Sequence, residues 1–324
     1  MTQGGRFTVL LATALALLAA TSTPTVAAPA FRAADTVKLE KYVDSSRRTP
    51  AAGRFAGSDN RTLEVEYHVP DGHGPFPVVL WSHGKGTPLG SYDVLAEQFT
   101  SRGYLFVAPS YPLLGAFSPA GPDGAEFDKV NQPADASFVL SRMIVQSEDP
   151  GHWLHGLVDT GRIGAAGESA GGFTTLGLLN SCCSDRRIRA AFVVAPAMQS
   201  GPRGTLPGQW FTSRNPPIMF MQSSGDGEVS IANTQDFYAK MQPPKYFMQT
   251  KGGNHYDVVR SSGDLRRAIE GSMVAFFDAY LKGDTSGFAR LRTFGNLPGA
   301  SSLRTMVRCE DRDFTWVRSP RVAC

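Results

Sequence analysis

The stretch that decides the fold is Arg162–Gly171, with the sequence RIGAAGESAG. Its first half is a short apolar run, and its second half is the pattern G-x-S-x-G, which leads directly into a helical segment at Ala170. A serine in a sharp strand-to-helix turn is exposed at the helix N-terminus, because the flanking glycines remove side chains that would clash there. The pattern alone is common, but its place between a strand and a helix makes Ser169 a candidate nucleophile.

Short apolar strands and longer helical segments alternate on both sides of this stretch. Strands are predicted at Leu63–Val69, Val78–Trp81, Tyr104–Ala108, Arg162–Ala166, Ala190–Ala195, Ile218–Gln222 and Tyr246–Gln249. Helices are predicted at Tyr92–Ser101, Gln132–Gln146, Ala170–Asn180 and Ile231–Met241, with a final amphipathic helix between Leu265 and Tyr280. Such alternation is typical of parallel βαβ units with helices on both faces of the sheet. The sequence therefore predicts an α/β fold around a central, mostly parallel sheet.

A serine hydroxyl needs a base at neutral pH, and the base needs a carboxylate that orients it. In an open α/β sheet these groups follow the nucleophile in the order acid, then histidine, at the carboxyl ends of later strands. His255 is the only histidine downstream of Ser169, and it follows the last predicted strand. Asp226 and Glu228 follow the strand before it; Asp226 is favoured because it comes first, and Glu228 stays open as the alternative acid. Asp257, beyond the histidine, is expected to be solvated.

Acyl transfer also needs backbone N–H groups aimed at the oxyanion that develops in the transition state. One donor is predicted at Ala170, whose N–H directly follows the nucleophile at the N-terminus of a helix, where the dipole favours negative charge. The second is predicted at Lys85, in the loop Ser82–Gly86 that follows the apolar run ending at Trp81. His83 is interpreted as a brace of this loop and not as the base.

The composition of the chain limits the classes of protein and of binding partner that are plausible. The 324 residues are 42% hydrophobic and 19% charged, and 32 Lys and Arg against 29 Asp and Glu give a net charge of +3. These values are typical of a globular chain, and no run of like charges predicts a nucleic-acid surface or a polybasic membrane patch. We therefore expect no nucleic-acid partner and a monomeric protein.

The first thirty residues have the three-part layout of a secretory signal. Arg6 is the only charged side chain there, Phe7–Ala20 is apolar, and small residues follow. Cleavage is expected before Phe31, with cleavage after Ala27 as the alternative. The apolar run is shorter than the roughly 20 residues that span a bilayer, so we expect a secreted protein with no integral membrane segment.

Export bears on the four cysteines, because thiols pair in oxidising compartments. Pairing of Cys309 with Cys324 is expected to close the C-terminal tail in a loop of about 15 residues, which stabilises the fold by about 3 kcal/mol. Cys182 and Cys183 are adjacent, so a bond between them would be strained, and they either pair elsewhere or stay reduced. The chain then divides into a signal peptide at 1–30, a catalytic domain at 31–308 and a disulfide-closed tail at 309–324.

Two long loops follow strands and are expected to form the substrate pocket. Their apolar side chains would suit an acyl or alkyl group, and the candidates are Leu113, Phe117, Met198, Trp210 and Phe211. The alternative, that these side chains merely pack the loops, stays open for each of them. Since no arginine pair or acidic cluster converges on the motif, a neutral or lipidic ester is favoured over a charged substrate.

Taken together, these motifs resemble the α/β-hydrolases, and more closely the secreted branch related to dienelactone hydrolases, polyester hydrolases and platelet-activating-factor acetylhydrolase-like esterases. The resemblance runs from about Val43 to Leu281, and its matching stretches are Val43–Arg47, Arg61–Val65, Pro77–Gly84, Ser101–Tyr104, Asp159–Gly164, Gly167–Gly171 and Gly253–His255. It implies the α/β-hydrolase fold and a serine esterase without metal or cofactor. Two departures are noted: the strand Phe192–Ala197 lacks the acid of the acetylhydrolase-like members, and Ala170 stands where polyester hydrolases usually have methionine.

Three hypotheses follow. The first is hydrolysis of small-molecule, lipid or polymeric carboxylic esters, in which Ser169 attacks, His255 moves the proton and Asp226 orients it. The second keeps the acyl-enzyme but uses another acceptor or another bond, as an acyltransferase or a peptidase does. The third is a non-enzymatic binding protein on the same fold, against which the intact serine, acid and histidine argue.

Overall fold

A strand whose seven residues are all buried lies near the centre of the sheet, at Phe76–Ser82. Continuous burial of this kind requires that both faces of the sheet are covered. The computed structural model describes residue 1 and residues 36–115, 118, 128–179, 184–197 and 215–308. The predicted signal peptide and all four cysteines lie outside these ranges, as do Phe117, Met198, Trp210 and Phe211.

The described residues form nine strands and seven α-helices. The strands are β1 (Thr36–Asp44), β2 (Arg61–Val69), β3 (Phe76–Ser82), β4 (Leu105–Ser110), β5 (Val158–Glu168), β6 (Ile188–Val194), β7 (Ile218–Ser223), β8 (Lys245–Thr250) and β9 (Ser301–Met306). The helices are α1 (Asp93–Thr100), α2 (Gln132–Glu148), α3 (Ala170–Gly177), α4 (Ile231–Lys240), α5 (Asp257–Arg260), α6 (Gly263–Leu281) and α7 (Ser286–Gly295). A short 3₁₀ turn at Lys129–Asn131 precedes α2.

All nine strands belong to one sheet in the order β1-β2-β4-β3-β5-β6-β7-β8-β9. The six strands from β4 to β8 run parallel, whereas β1, β2 and β9 pair antiparallel with their neighbours. The expected α/β fold with a mostly parallel sheet is therefore confirmed. The sheet is mixed, however, because antiparallel strands close both of its edges.

Successive side chains of a strand point to opposite faces, and each face has its own core. On β3, Val78 and Leu80 pack with residues of α2, α3 and α4 in one buried cluster. Val79 and Trp81 pack with residues of α1, α6 and α7 in a second cluster. Helices thus cover both faces of the sheet, as the sequence predicted.

Several elements, including the unpredicted short helix α5, differ from the sequence-based prediction. Neither β1 nor β9 was predicted, and α7 follows the helix that was expected to be the last. The helix predicted at Ala170–Asn180 ends earlier, at Gly177, and the strand predicted at Arg162–Ala166 begins earlier, at Val158. None of the helices within the described ranges is both long and apolar enough to cross a bilayer.

Candidate active site

The chain changes direction across the sheet between β3 and β5. It leaves β3 for β4 on one side and later returns to place β5 on the other side. The carboxyl ends of parallel strands at such a switch point leave a crevice between two diverging loops, which is where ligands bind in open α/β sheets. The two loops here carry residues 83–87 and Ser169, and the strand ends beside them are paired, with Ser82 opposite Gly167.

Ser169 lies in a strained turn between β5 and α3. Its backbone has φ 54° and ψ −119°, and Ala195 is the only other described residue besides glycine with positive φ. Hydrogen bonds hold this conformation: the Ser169 N–H donates to the Val194 carbonyl at 2.9 Å, and its carbonyl accepts from the Ala197 N–H at 3.0 Å. Strain of this kind costs about 1–3 kcal/mol and persists only where the surroundings enforce it.

Two glycines of the motif let three backbone segments meet. A Cβ atom on Gly171 would lie 2.0 Å from the Ser82 carbonyl oxygen, and one on Gly167 would lie 2.5 Å from the Gly171 carbonyl oxygen. Only residues without side chains fit at these distances. The glycines of G-x-S-x-G are therefore required by the packing of α3 against the end of β3.

His255 and Asp226 form a hydrogen bond 2.9 Å long between Nδ1 and Oδ2. The parallel strands β7 and β8 bring their loops together, and the Gly225 N–H donates to the Gly252 carbonyl at 3.2 Å. Both side chains are buried, with 5% of His255 and 1% of Asp226 exposed. Because a carboxylate only accepts hydrogen bonds, Nδ1 carries the proton, which leaves Nε2 as the acceptor nitrogen.

Asp226 is fixed by its own neighbours. Its Oδ1 accepts the backbone N–H groups of Glu228 and Val229, each at 2.9 Å, and its Oδ2 also accepts the Gln222 side-chain amide at 2.8 Å. These bonds orient the carboxylate toward His255 before any substrate binds. The alternative acid, Glu228, lies on the other side of the ring, with Oε2 4.0 Å from Nε2 and its side chain half exposed.

Asp257 contradicts the expectation that it is solvated. It is buried, with Oδ2 accepting from the Ser223 hydroxyl at 2.5 Å and Oδ1 accepting the Asn254 N–H at 2.9 Å. A Cβ atom on Gly253 would lie 2.0 Å from the same carboxylate. Asp257 therefore anchors the loop that carries His255 to the end of β7, a role that its position after the histidine did not reveal.

His83 braces the loop after β3, in agreement with the interpretation from the sequence. Its Nδ1 donates to the Gly84 carbonyl at 2.7 Å, and its Nε2 accepts the Tyr111 N–H at 3.3 Å. Complete burial lowers the pKa of His83 to about 4, so the ring is neutral at physiological pH. The Gly86 N–H donates to the Leu114 carbonyl at 2.8 Å, which ties the same loop to the segment after β4.

Glu168, directly before the nucleophile, is a buried acid that sequence reasoning passed over. Its Oε1 accepts the Gly84 N–H at 2.9 Å and the Tyr92 hydroxyl at 2.8 Å. Burial raises the pKa of this carboxyl above its ordinary value. No local signal identifies it, because β5 also carries the charged residues Asp159 and Arg162, which are not buried.

The serine and the histidine face one pocket of about 540 Å³. Of the residues that the sequence proposed for the site, the pocket wall includes Lys85, Leu113, Ser169, Ala170, Glu228 and His255. Asp226 lies behind His255. Leu114, Ala197, Val229 and Tyr256 add further apolar surface, and Glu168 and Lys129 add polar groups. The four other candidate lining residues lie outside the described part of the chain.

One group of side chains in the described residues has the donor types of a metal site. Potential ligand atoms of Glu66, His68 and Asp93 lie within 4.8 Å of one another, and none of these residues lines the pocket of Ser169. His68 Nε2 already bonds to Glu66 Oε1 at 2.6 Å, and Asp93 is largely exposed. This group is therefore separate from the pocket that Ser169 and His255 line.

Comparison of the chain with known proteins identifies neither a family nor a relative. A scan against models of protein families and a search of curated proteins both found no match to the chain. The function therefore has to be argued from the site itself.

Proposed function

We propose that this protein is a secreted serine esterase of the α/β-hydrolase fold. The observation that carries the proposal is the buried hydrogen bond from His255 to Asp226 beside the pocket that also exposes Ser169 at a strained turn. The serine, the acid and the histidine follow one another in this order along the chain, on loops at the carboxyl ends of β5, β7 and β8. They have the roles of nucleophile, orienting group and base.

In the proposed mechanism the Ser169 hydroxyl attacks the ester carbonyl while His255 Nε2 takes its proton. The imidazolium that forms is stabilised by Asp226 and then protonates the leaving alcohol. Water, activated by the same nitrogen, hydrolyses the acyl-enzyme. The N–H of Ala170 and that of Lys85 are proposed to stabilise the oxyanion, the first with the help of the α3 dipole.

The pocket supports a neutral ester as the substrate. Its apolar wall includes Leu113, Leu114 and Val229, which suit an acyl or alkyl chain. The wall carries both basic and acidic side chains, Lys85 and Lys129 with Glu168 and Glu228, so it has no excess of one sign that would select a charged acyl group. No cofactor is required by this chemistry.

Labelling by a fluorophosphonate tests the nucleophile. We expect the folded wild-type protein to be labelled and Ser169→Ala to remain unlabelled. Labelling that survives in the variant places the nucleophile elsewhere, and a folded wild-type protein that does not label overturns the proposal.

Hydrolysis of p-nitrophenyl esters from acetate to palmitate tests the reaction and measures the chain length that the pocket accepts. Transfer of the acyl group to an added alcohol or amine in preference to water would identify an acyltransferase. Labelling without turnover of any ester, but with cleavage of peptides, would identify a peptidase.

A further inference from the structure

Glu168 lines the pocket of Ser169, yet the proposed mechanism gives it no task. A carboxylic acid that is only 7% exposed is costly to bury unless its oxygens are satisfied by specific partners. Glu168 is the last residue of β5. The residue before it, Gly167, pairs with Ser82 at the end of β3, where the loop after β3 begins. The partners of Glu168 therefore indicate what it does.

Both hydrogen-bond donors to Oε1 belong to the turn after β3 or support it. The Gly84 N–H donates at 2.9 Å and the Tyr92 hydroxyl at 2.8 Å. The carboxylate also packs directly on the Gly84 Cα: a Cβ atom there would lie 2.1 Å from Oε1 and 2.9 Å from Oε2. Gly84 is not among the glycines with positive φ, so a glycine is needed at this position for the approach of Glu168 and not for the backbone conformation.

Tyr92 supports the start of the same turn. Its hydroxyl accepts the Gly84 N–H at 3.2 Å, and the Thr87 N–H donates to the Gly84 carbonyl at 3.3 Å, which closes the turn. The Tyr92 ring packs on Trp81 at the end of β3, with the centroids 5.0 Å apart. Glu168, Tyr92 and Gly84 thus form a buried network at the start of the turn, and the next residue, Lys85, is exposed on the pocket wall.

The role of Glu168 follows from its oxygen atoms and not from its charge. Burial raises the pKa of this carboxyl, Glu228 acts in the same direction, and the Tyr92 hydroxyl, His255 and the Gly84 N–H act against that shift. Both hydrogen bonds from Gly84 and Tyr92 go to Oε1, which can accept them whether or not the side chain is ionised.

We propose that Glu168 is a positioning residue, whose side-chain oxygen holds the Gly84–Thr87 turn in the conformation that receives the oxyanion. The proposal rests on the proposed esterase function and deepens it, since it assigns to the residue before the nucleophile a part in the oxyanion site. It predicts that removal of Glu168 lowers kcat with little effect on KM, because ground-state contacts of the ester are left in place.

Three variants test this role. Glu168→Gln removes the carboxyl group but keeps an oxygen that can accept from Gly84 and Tyr92. Glu168→Leu removes both the carboxyl group and the acceptor. Glu270→Gln is the matched control, because Glu270 is a buried glutamate on α6 that does not line the pocket. A mispositioned catalytic group costs about 100-fold in rate, which is the fall in kcat that we expect for Glu168→Leu.

The experiment measures kcat and KM with a p-nitrophenyl ester, together with amide hydrogen exchange of residues 83–87 without substrate. In Glu168→Gln we expect a smaller fall in kcat, of about tenfold or less, because the amide oxygen can still accept from the Gly84 N–H and the Tyr92 hydroxyl. In Glu168→Leu we expect faster exchange of the turn. Glu270→Gln should leave kcat, KM and exchange of the turn unchanged.

The outcomes distinguish this proposal from the proposed function. Unchanged exchange at residues 83–87 in Glu168→Leu, or kcat values within twofold of wild type in both folded variants, overturns the positioning role while the esterase function stands. An increase in KM alone overturns it too, because it would assign Glu168 to substrate binding. A wild-type protein that hydrolyses no ester and is not labelled at Ser169 overturns the esterase function, and the catalytic role of Glu168 falls with it.

Discussion

Nδ1 of His255 lies 2.9 Å from Oδ2 of Asp226, while Glu228 approaches only the opposite nitrogen of the ring, at 4.0 Å. Replacing the acid on Nδ1 permits the wrong tautomer and removes the charge that stabilises the imidazolium. We therefore expect Asp226→Asn to lower kcat by about 10²- to 10⁴-fold with labelling of Ser169 slowed in parallel.

Glu228→Gln is the matched control for this prediction. A half-exposed charge interacts weakly with its neighbours, so we expect a change in kcat of no more than about fivefold. Steady-state hydrolysis of one p-nitrophenyl ester by both variants makes the comparison. A larger loss in Glu228→Gln than in Asp226→Asn would exchange the roles of the two acids.

Strain at the nucleophile predicts a difference between two inactive variants. Ser169 has φ 54°, a conformation that glycine adopts freely and alanine does not. Both Ser169→Ala and Ser169→Gly remove the hydroxyl, but only the second relieves the strain. We expect the free energy of unfolding in urea to be about 1 kcal/mol higher for the glycine variant. Equal stabilities would mean that the turn stores no strain.

The close approach at Gly171 predicts a reversal of the usual effect of alanine in a helix. Gly-to-Ala substitution inside a helix normally stabilises it by about 1 kcal/mol. In Gly171→Ala the new Cβ would lie 2.0 Å from the Ser82 carbonyl oxygen, so we expect destabilisation by about 2 kcal/mol or more. Gly227→Ala, where the new atom meets open space, should change stability by less than about 0.5 kcal/mol. Thermal and urea unfolding compare the two variants.

A buried glutamate predicts how stability depends on pH. Burial raises the pKa of Glu270 from 4.5 to about 7; Arg266 on the same helix opposes this shift and Glu97 on α1 adds to it. The folded state therefore binds the proton more tightly than the unfolded state does. The resulting stabilisation is fully present below about pH 4.5 and is lost as the pH rises through about 7.

Between pH 5 and pH 8 this group is expected to reduce the free energy of unfolding by an amount on the order of 2–3 kcal/mol. Other groups titrate over the same range, so the measurement is the difference between wild type and Glu270→Gln at each pH. We expect the variant to gain on wild type as the pH rises. A difference that stays constant with pH would show that Glu270 is ionised throughout.

The sequence predicted the parts of the fold that depend on continuous burial. The apolar runs at β3, β6 and β7 identify strands covered on both faces, and G-x-S-x-G identifies the turn between β5 and α3. The alternation of strands and helices predicted the parallel strands at the centre, but the antiparallel direction of β2 was not accessible, because the pattern of a single strand is the same in either direction. The edge strands β1 and β9 were missed because exposed polar residues interrupt them and backbone pairing with β2 and β8 holds them in place.

For the candidate site, the sequence identified the groups whose order along the chain is constrained by chemistry. It placed Asp226 near His255 because both follow neighbouring strands, and the structure joins them by a hydrogen bond. It did not foresee the burial of Asp257 and Glu168. Those two side chains act through contacts with Ser223 and Gly84, which lie 34 and 84 residues away along the chain, and no local pattern encodes such distances.

The pairing of β9 with β8 links the end of the described chain to the loop of the histidine. The six residues of β9 pair with β8 along its whole length, and the Lys251 N–H beyond it donates to the Ala300 carbonyl at 2.8 Å. A protein cut before Ser301 would leave a row of unpaired backbone groups on β8, which invites the strands of other copies to add there. We therefore expect shortened versions of the protein to aggregate. A loss of activity in such a version would then reflect insolubility and not a change at the catalytic residues.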